Sequence, residues 1–233
     1  MLDPAGRVIM VSGASRGIGR AVVDRLLARG YDVSAGMRDP GALGDLAGSH
    51  LMTARFEATD RDSHARWLDA TLDRFGRLDG LVNNAGIADR FTIDAGDEAD
   101  LDALLAVNVK APLFLTRSCL PHLRASGAGR IVNVASLSGK RVRNDNIGYA
   151  MTKYALIALT HGTRRIGWAD GVRATALCPG FVATDLTAGV QTVERDAMIA
   201  PADLAVLAET AIALPNTASV AEMLVNCRHE DML

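Results

Sequence analysis

Aromatic residues are scarce in this chain, at 4% of 233 positions. Cysteine is scarcer. Cys119, Cys178 and Cys227 are widely spaced and set inside apolar runs, so they read as buried thiols, with neither a disulfide framework nor zinc-ligand spacing. His50, His64, His122, His161 and His229 show no ligand spacing either, and no metal site is expected. No charge sign dominates, the formal net charge being −2. That excludes the basic excess of a nucleic-acid binder, and no block of like charge marks an interaction tail. No uninterrupted apolar run approaches the length of a membrane span. The opening stretch MLDPAGRVIMVSG has an acid where a secretion signal would be positive, and its apolar run is short. It reads as a first strand, and the cytoplasm is the expected location. Linkers and internal repeats are missing too. What remains is a chain 49% hydrophobic and 22% charged, the balance of a globular protein, of a length that suits one large domain.

Within it, short apolar runs alternate with longer amphipathic ones. Strands are expected at residues 7–11, 31–35, 50–56, 78–83, 130–135, 172–178 and 221–226. Helices are expected at 18–29, 40–47, 63–75, 98–123, 147–168 and 202–213, the fourth bent where Pro112 has no N–H to donate. Alternation at this spacing builds successive right-handed βαβ units. The expected fold class is α/β: one doubly wound parallel sheet of about seven strands, helices on both faces, in a single domain over residues 1–233. In such sheets ligands bind beyond the carboxyl ends of the strands.

The chemistry-bearing residues follow strands. After the first comes VSGASRGIG, with Gly13, Gly17 and Gly19 between a strand and a helix and Ser15, Arg16 and Ile18 among them. Glycines there let the backbone approach a pyrophosphate, which rests on the free N–H groups of the helix. The second strand ends in Gly36-Met37-Arg38-Asp39. Arg38, with Arg16 able to reach the same group, suits the 2′-phosphate of NADP. Asp39 either binds the 2′-hydroxyl of NAD or caps the element that begins at Pro40. Further on, Tyr149 and Lys153 stand four apart and share a helix face. An ammonium about 4 Å from a phenol, at an effective dielectric of about 20, favours the phenolate by roughly 4 kcal/mol, or about 3 pKa units. That brings a tyrosine into the range of acid–base catalysis. The hydroxyl of Ser136 is placed to hold a reacting oxygen.

GASRGIG, LVNNAG at 81–86, Asn108 within VNVKAP, NVAS at 133–136, YAMTK and LCPGFVATD at 177–185 occur in this order and at these separations. The chain thereby resembles the short-chain dehydrogenase/reductase family over almost its whole length. The resemblance implies a Rossmann-type fold and a hydride transfer between NADP(H), or NAD, and a small carbonyl or alcohol substrate. Tyr149 is then the acid–base and Ser136 the residue polarising the substrate oxygen. Lys153 lowers the Tyr149 pKa and binds the nicotinamide ribose, and Asn108 holds, through its backbone, a water in a proton relay. Asn83, Asn84, Ala85 and Gly86 match the segment beside the adenosine ribose. Glu57-Ala58 matches an adenine-reading pair, with a surface glutamate as the plainer alternative. Pro179, Gly180, Val182 and Thr184 match the segment flanking the nicotinamide. The family's homodimers or homotetramers are built on the helices carrying Asn108 and Tyr149.

Residues 184–200 correspond to the family's substrate lip, here short, with Leu186, Val190 and Met198 as an apolar lining. Lys140, Arg141 and Arg143 either attract an anionic substrate or form a solvated basic turn. Leu137, Val142, Asn144 and Phe181 are further candidates to border the substrate. Two competing readings share the fold. One is a catalytically silent nucleotide-binding regulator, against which the intact Ser136, Tyr149, Lys153 and Asn108 argue. The other is a non-redox lyase or epimerase, which the fold does not exclude.

Overall fold

A computed structural model describes residues 1–46 and 48–228. Ala47, the expected end of the short second helix, and residues 229–233, with His229, lie outside the described residues. Seven strands form one sheet: β1 Val8–Ser12, β2 Asp32–Met37, β3 Leu51–Arg55, β4 Gly80–Asn83, β5 Arg130–Val134, β6 Arg173–Pro179 and β7 Glu222–Val225. Every pairing is parallel, in the order β3-β2-β1-β4-β5-β6-β7. The fold is the doubly wound α/β arrangement, and its order reverses between β1 and β4.

Helices α1 Gly17–Ala28 and α6 Pro201–Ala213 cover one face. Val22, Val23 and Leu26 meet Leu204, Ala208 and Ile212 there, over Ile9, Val11 and Val132 of the strands. Helices α2 Arg61–Phe75, α4 Ala111–Ala125 and α5 Ile147–Gly167 cover the other. Trp67, Leu68, Leu115, Cys119 and Leu123 lie on Met10, Leu81 and Ile131, and Leu156 and Ile157 on Ala176 and Cys178. The inner strands are buried on both sides, which is why they read as continuous apolar runs. Trp67 lies against β2 at Gly36, where an added Cβ would come within 2.6 Å of its ring. Its indole N–H reaches the Ser34 hydroxyl at 2.9 Å, so its polar end is satisfied.

A polar bar crosses the buried α4–α5 side. The Asn83 amide donates to Thr116 at 3.1 Å and to Asn133 at 2.8 Å, and the Asn133 amide donates to Thr160 at 2.8 Å. Asn83 and Asn133 are register partners on β4 and β5.

Two elements differ from expectation. The stretch after Asp39 is a 3-10 turn over Pro40–Leu43 instead of an eight-residue helix, since glycines at 41 and 44 disfavour propagation. The long fourth helix is interrupted by a π turn over Ala106–Lys110, between α3 Glu98–Leu105 and α4. Pro112 lies two residues past this turn, inside the helix that runs on from 98 to 125, and has no N–H to offer a carbonyl of the turn before it. By length and composition the continuous 98–125 helix would pass for a membrane span, but Leu115, Cys119 and Leu123 pack on the sheet.

Candidate active site

The loop after β1 is shaped by its glycines. Gly13 and Gly17 have φ of 64° and 58°, the left-handed region that side chains disfavour. A Cβ on Gly19 would fall 2.3 Å from the Gly13 carbonyl oxygen, so only hydrogen fits where α1 meets the loop. Arg16 takes the N-cap position of α1 with no side-chain cap bond, and the first turn holds no acidic residue. Free N–H groups with no competing carboxylate suit an anion such as a pyrophosphate. Ser15 and Ile18 are half-buried in the same loop, Ile18 packing on the core below. Asn84 braces the loop from beneath, its amide donating to the Ser12 and Gly13 carbonyls at 3.0 Å each. The Ser12 hydroxyl accepts from the backbone N–H groups of Asn84 and Ala85. These contacts fix the glycine turn against the end of β4.

Past β2, Arg38 is exposed. Asp39 Oδ1 accepts from Gly41 N–H at 2.9 Å and caps the 3-10 turn. Arg16 pairs with Asp185 of the lip at 3.0 Å, and both side chains are largely exposed. Past β3, the Glu57 and Ala58 backbones are held by α2. The Ser63 hydroxyl bonds the Glu57 N–H at 3.0 Å, and His64 Nε2 lies 3.1 Å from the Ala58 carbonyl.

Ser136, Tyr149 and Lys153 converge beyond β5 and β6. Asn146 caps α5, its side-chain oxygen accepting from Tyr149 N–H at 3.4 Å and Phe91 N–H at 3.1 Å. One turn on, the Lys153 ammonium lies 5.4 Å from the Tyr149 ring centroid. It donates to the Val134 carbonyl at 2.9 Å. The Ser136 hydroxyl, just past β5, accepts from Ser138 N–H at 3.1 Å and lies 3.4 Å from the Pro179 carbonyl. Gly139 lets this turn press on α5, since a Cβ there would be 2.8 Å from the Lys153 backbone. Gly86 faces the same space: its absent Cβ would lie 3.8 Å from the Lys153 amine and 3.2 Å from Asn108 Oδ1.

The electrostatics reverse the expectation for Tyr149. Burial pushes its phenol up to about 12, and hydrogen bonding to Ser136 opposes the rise. Burial pushes Lys153 down to about 8. The amine is engaged by a carbonyl and covered by protein, so desolvation outweighs the attraction expected of a bare cation beside a phenol. Tyr149 is thus held protonated at neutral pH.

Asn108 sits in the π turn and is buried. Its side chain grips the strand-four loop: Ile87 N–H donates to Oδ1 at 2.9 Å, and Nδ2 donates to the Ile87 carbonyl at 2.8 Å. The same Nδ2 reaches Thr152 at 3.1 Å, and Thr152 donates to the Tyr149 carbonyl at 2.7 Å. Asn108 thereby ties the π turn to α5.

The carboxyl end of β6 carries Pro179, and Gly180 just past it donates to the Val225 carbonyl of β7 at 2.8 Å. Val182 is buried and bridges Ile199. Thr184 approaches Gly17, whose Cβ would stand 3.2 Å from the threonine methyl. The expected apolar lip lining is largely turned inward. Val190, Met198 and Phe181 pack on the α1–α6 core, Leu137 is buried, and Leu186 stays exposed. Lys140 is not free to draw an anion, because Glu222 of β7 neutralises it at 2.7 Å. Glu222 also meets His161 at 2.9 Å. A cleft of about 320 Å³ near Leu72, Arg77 and His122 lies at the opposite end of the sheet from this site.

Residues 7–195 match the family model described as short chain dehydrogenase. The chain belongs to that family. Short-chain dehydrogenases are oxidoreductases, and similar proteins carry such names. An agropine synthesis reductase of Rhizobium rhizogenes is 43% identical over 97% of this chain and 53% of its own length, so the chain spans about half of that relative. The 2-(R)-hydroxypropyl-CoM dehydrogenase of Xanthobacter autotrophicus is 33% identical over 78% of this chain and 76% of its own. The crystal structure of 3-ketoacyl-(acyl-carrier-protein) reductase from Brucella melitensis, complexed with NADH, superposes with a TM-score of 0.88 at 25% identity, covering 95% of this chain and 97% of that one. Within this short-chain dehydrogenase, sequence reasoning passed over Ser12, Thr152, the Val134 carbonyl and Asp185. Ser12 ends the first strand next to the glycine motif, and that adjacency was its only signal. The others meet their partners through tertiary contacts alone.

Proposed function

We propose that the protein is a reductase of small carbonyl compounds, uses NADPH in preference to NADH, and relies on Tyr149 to deliver the proton. The observation that carries this reading is the convergence of Ser136, a protonated Tyr149 and Lys153 beside a glycine cradle shaped for a pyrophosphate. Gly13, Ser15, Gly17 and Gly19 with the α1 N-terminus would hold the pyrophosphate. Arg38 would meet the 2′-phosphate, with Arg16 as its second cation once released from Asp185. Ala85 and Gly86 would border the adenosine ribose, and Glu57-Ala58 the adenine. Pro179, Gly180, Val182 and Thr184 would flank the nicotinamide. A bound nicotinamide supplies the hydride. Ser136 donates a hydrogen bond to the substrate carbonyl, and Tyr149 passes its proton to that oxygen as negative charge develops. Lys153, with an amine near about 8, exchanges protons readily at neutral pH and is placed to bind ribose hydroxyls. Asn108 keeps the helix carrying Tyr149 and Lys153 in line. Reduction is the direction named in the agropine synthesis reductase relative. The lip at 184–200 would border the substrate.

The test is a panel of carbonyls and alcohols with NADPH and NADH supplied separately, for the native protein and Tyr149→Phe. The expected outcome is NADPH-driven reduction, lost by roughly 10²–10⁴-fold in the variant while dinucleotide still binds. Native turnover in Tyr149→Phe refutes the role of that residue, and a preference for NADH refutes the role of Arg38.

A further inference from the structure

The geometry points to Asp185 as a determinant of coenzyme selectivity: its carboxylate holds Arg16 away from a ribose 2′-phosphate and so favours the dinucleotide that lacks one. The inference rests on the coenzyme reading above, in which Arg16 and Arg38 are the guanidiniums available to that phosphate. Arg16 stands in the glycine loop at the N-cap of α1, and Asp185 follows Thr184 at the start of the lip. Their side chains meet at 3.0 Å with exposures of 69% and 65%, across 169 residues of sequence. Gly17 and Thr184 lie beside them, so the pair spans the gap between loop and lip. The lip backbone there is fixed. Thr187 bonds the Val182 and Thr184 carbonyls, and Arg195 Nη1 reaches the Thr184 carbonyl at 3.3 Å. Asp185 therefore cannot follow Arg16 when Arg16 turns toward another anion.

Two physical effects act in the same direction. A 2′-phosphate must draw Arg16 off a carboxylate before it gains the guanidinium, and the competing pair weakens that gain. Once Arg16 leaves, the Asp185 carboxylate stands unpaired beside the N-terminus of α1, where a diphosphate would lie, and like charges repel. A dinucleotide with a 2′-hydroxyl leaves the pair intact and meets neither effect. Arg38, free on the other side, supplies the opposing preference, so the two sites together set the ratio. Exposed ion pairs contribute little, and the expected size is roughly two- to fivefold in affinity. Asp185 acts through Arg16 and is a positioning residue.

The experiment is isothermal titration of the full chain with 2′-phospho-ADP-ribose and with ADP-ribose, for the native protein, D185N, R16Q and the double variant. D185N is expected to tighten the 2′-phosphorylated ligand by roughly two- to fivefold and to leave ADP-ribose unchanged, with that difference between the two ligands vanishing in the R16Q background, where relief of repulsion at the diphosphate acts on both alike. D185S is expected to act in the same direction. An equal change for both ligands in the native background, a difference between the ligands that survives R16Q, or no change overturns the proposal. If R16Q selectively weakens the 2′-phosphorylated ligand while D185N does nothing, Asp185 alone has been misread. If the native protein binds both ligands alike and R16Q alters neither, the coenzyme reading has failed and takes the proposal with it.

Discussion

Lys153 makes the stability of this protein depend on pH in a direction that can be worked out. Its amine is buried and pushed down to about 8 from a free value of 10.5. Below about 8 the ammonium is charged in both folded and unfolded chains, and burying it costs stability. Between about 8 and 10.5 the unfolded chain still holds the proton that the folded chain has released, so stability rises with pH. Tyr149 acts in the opposite sense higher up. The folded chain keeps its proton to about 12, whereas the unfolded chain loses it near 10, so stability falls over that window. The buried thiols of Cys119 and Cys178 are likewise pushed up to about 12, so above about pH 9 the unfolded chain sheds protons that the folded chain keeps. Urea unfolding at a series of pH values is expected to show a rise between about pH 8 and 9 and a fall beyond it. Lys153→Met is expected to flatten the rise and spare the fall.

At the scale of elements, the π turn over Ala106–Lys110 carries the most consequence. It turns Asn108 inward, and the asparagine then satisfies both backbone groups of Ile87. Asn108→Ala leaves that N–H and that carbonyl without their partner, a loss of about 1–3 kcal/mol. A thermal melt is expected to show the destabilisation, with a parallel fall in turnover as the link through Thr152 to the Tyr149 helix is cut. Most elements were legible beforehand because strands buried on both faces have unbroken apolar runs, and because Tyr149 and Lys153 declare their shared face by a spacing of four. The interrupted helix was not legible. One extra residue in a turn leaves the apolar periodicity nearly unchanged, and Pro112 marked the neighbourhood of the interruption without its form. The partners of long charged side chains were not legible either. Arg16 finds Asp185 and Lys140 finds Glu222 across the fold, and nothing local in the sequence marks such pairs. The lip lining was misjudged for a related reason: an apolar residue in a loop can turn into the core, as Val190 and Met198 do.

At the scale of the whole molecule, α5 leaves apolar side chains uncovered. Met151, Tyr154 and Ile166 on it, and Trp168 just past its end, are each about half exposed. A stable interface buries roughly 800 Å² per partner, and these side chains would supply the apolar centre of one between two copies of the chain. We expect light scattering to give at least twice the 24.6 kDa chain mass. The double substitution Met151→Arg with Tyr154→Glu is expected to return the monomer mass and leave the helical circular dichroism intact. The polar bar of Thr116, Asn83, Asn133 and Thr160 has an effect of another kind. A strand that slips by one residue turns every side chain to the opposite face. Either asparagine, so displaced, would carry an unmatched amide into a dry hydrocarbon layer. The protein interior thus proofreads the alignment of β4 and β5, the two strands from which Asn84, Gly86 and Ser136 emerge, before a site can exist at their ends.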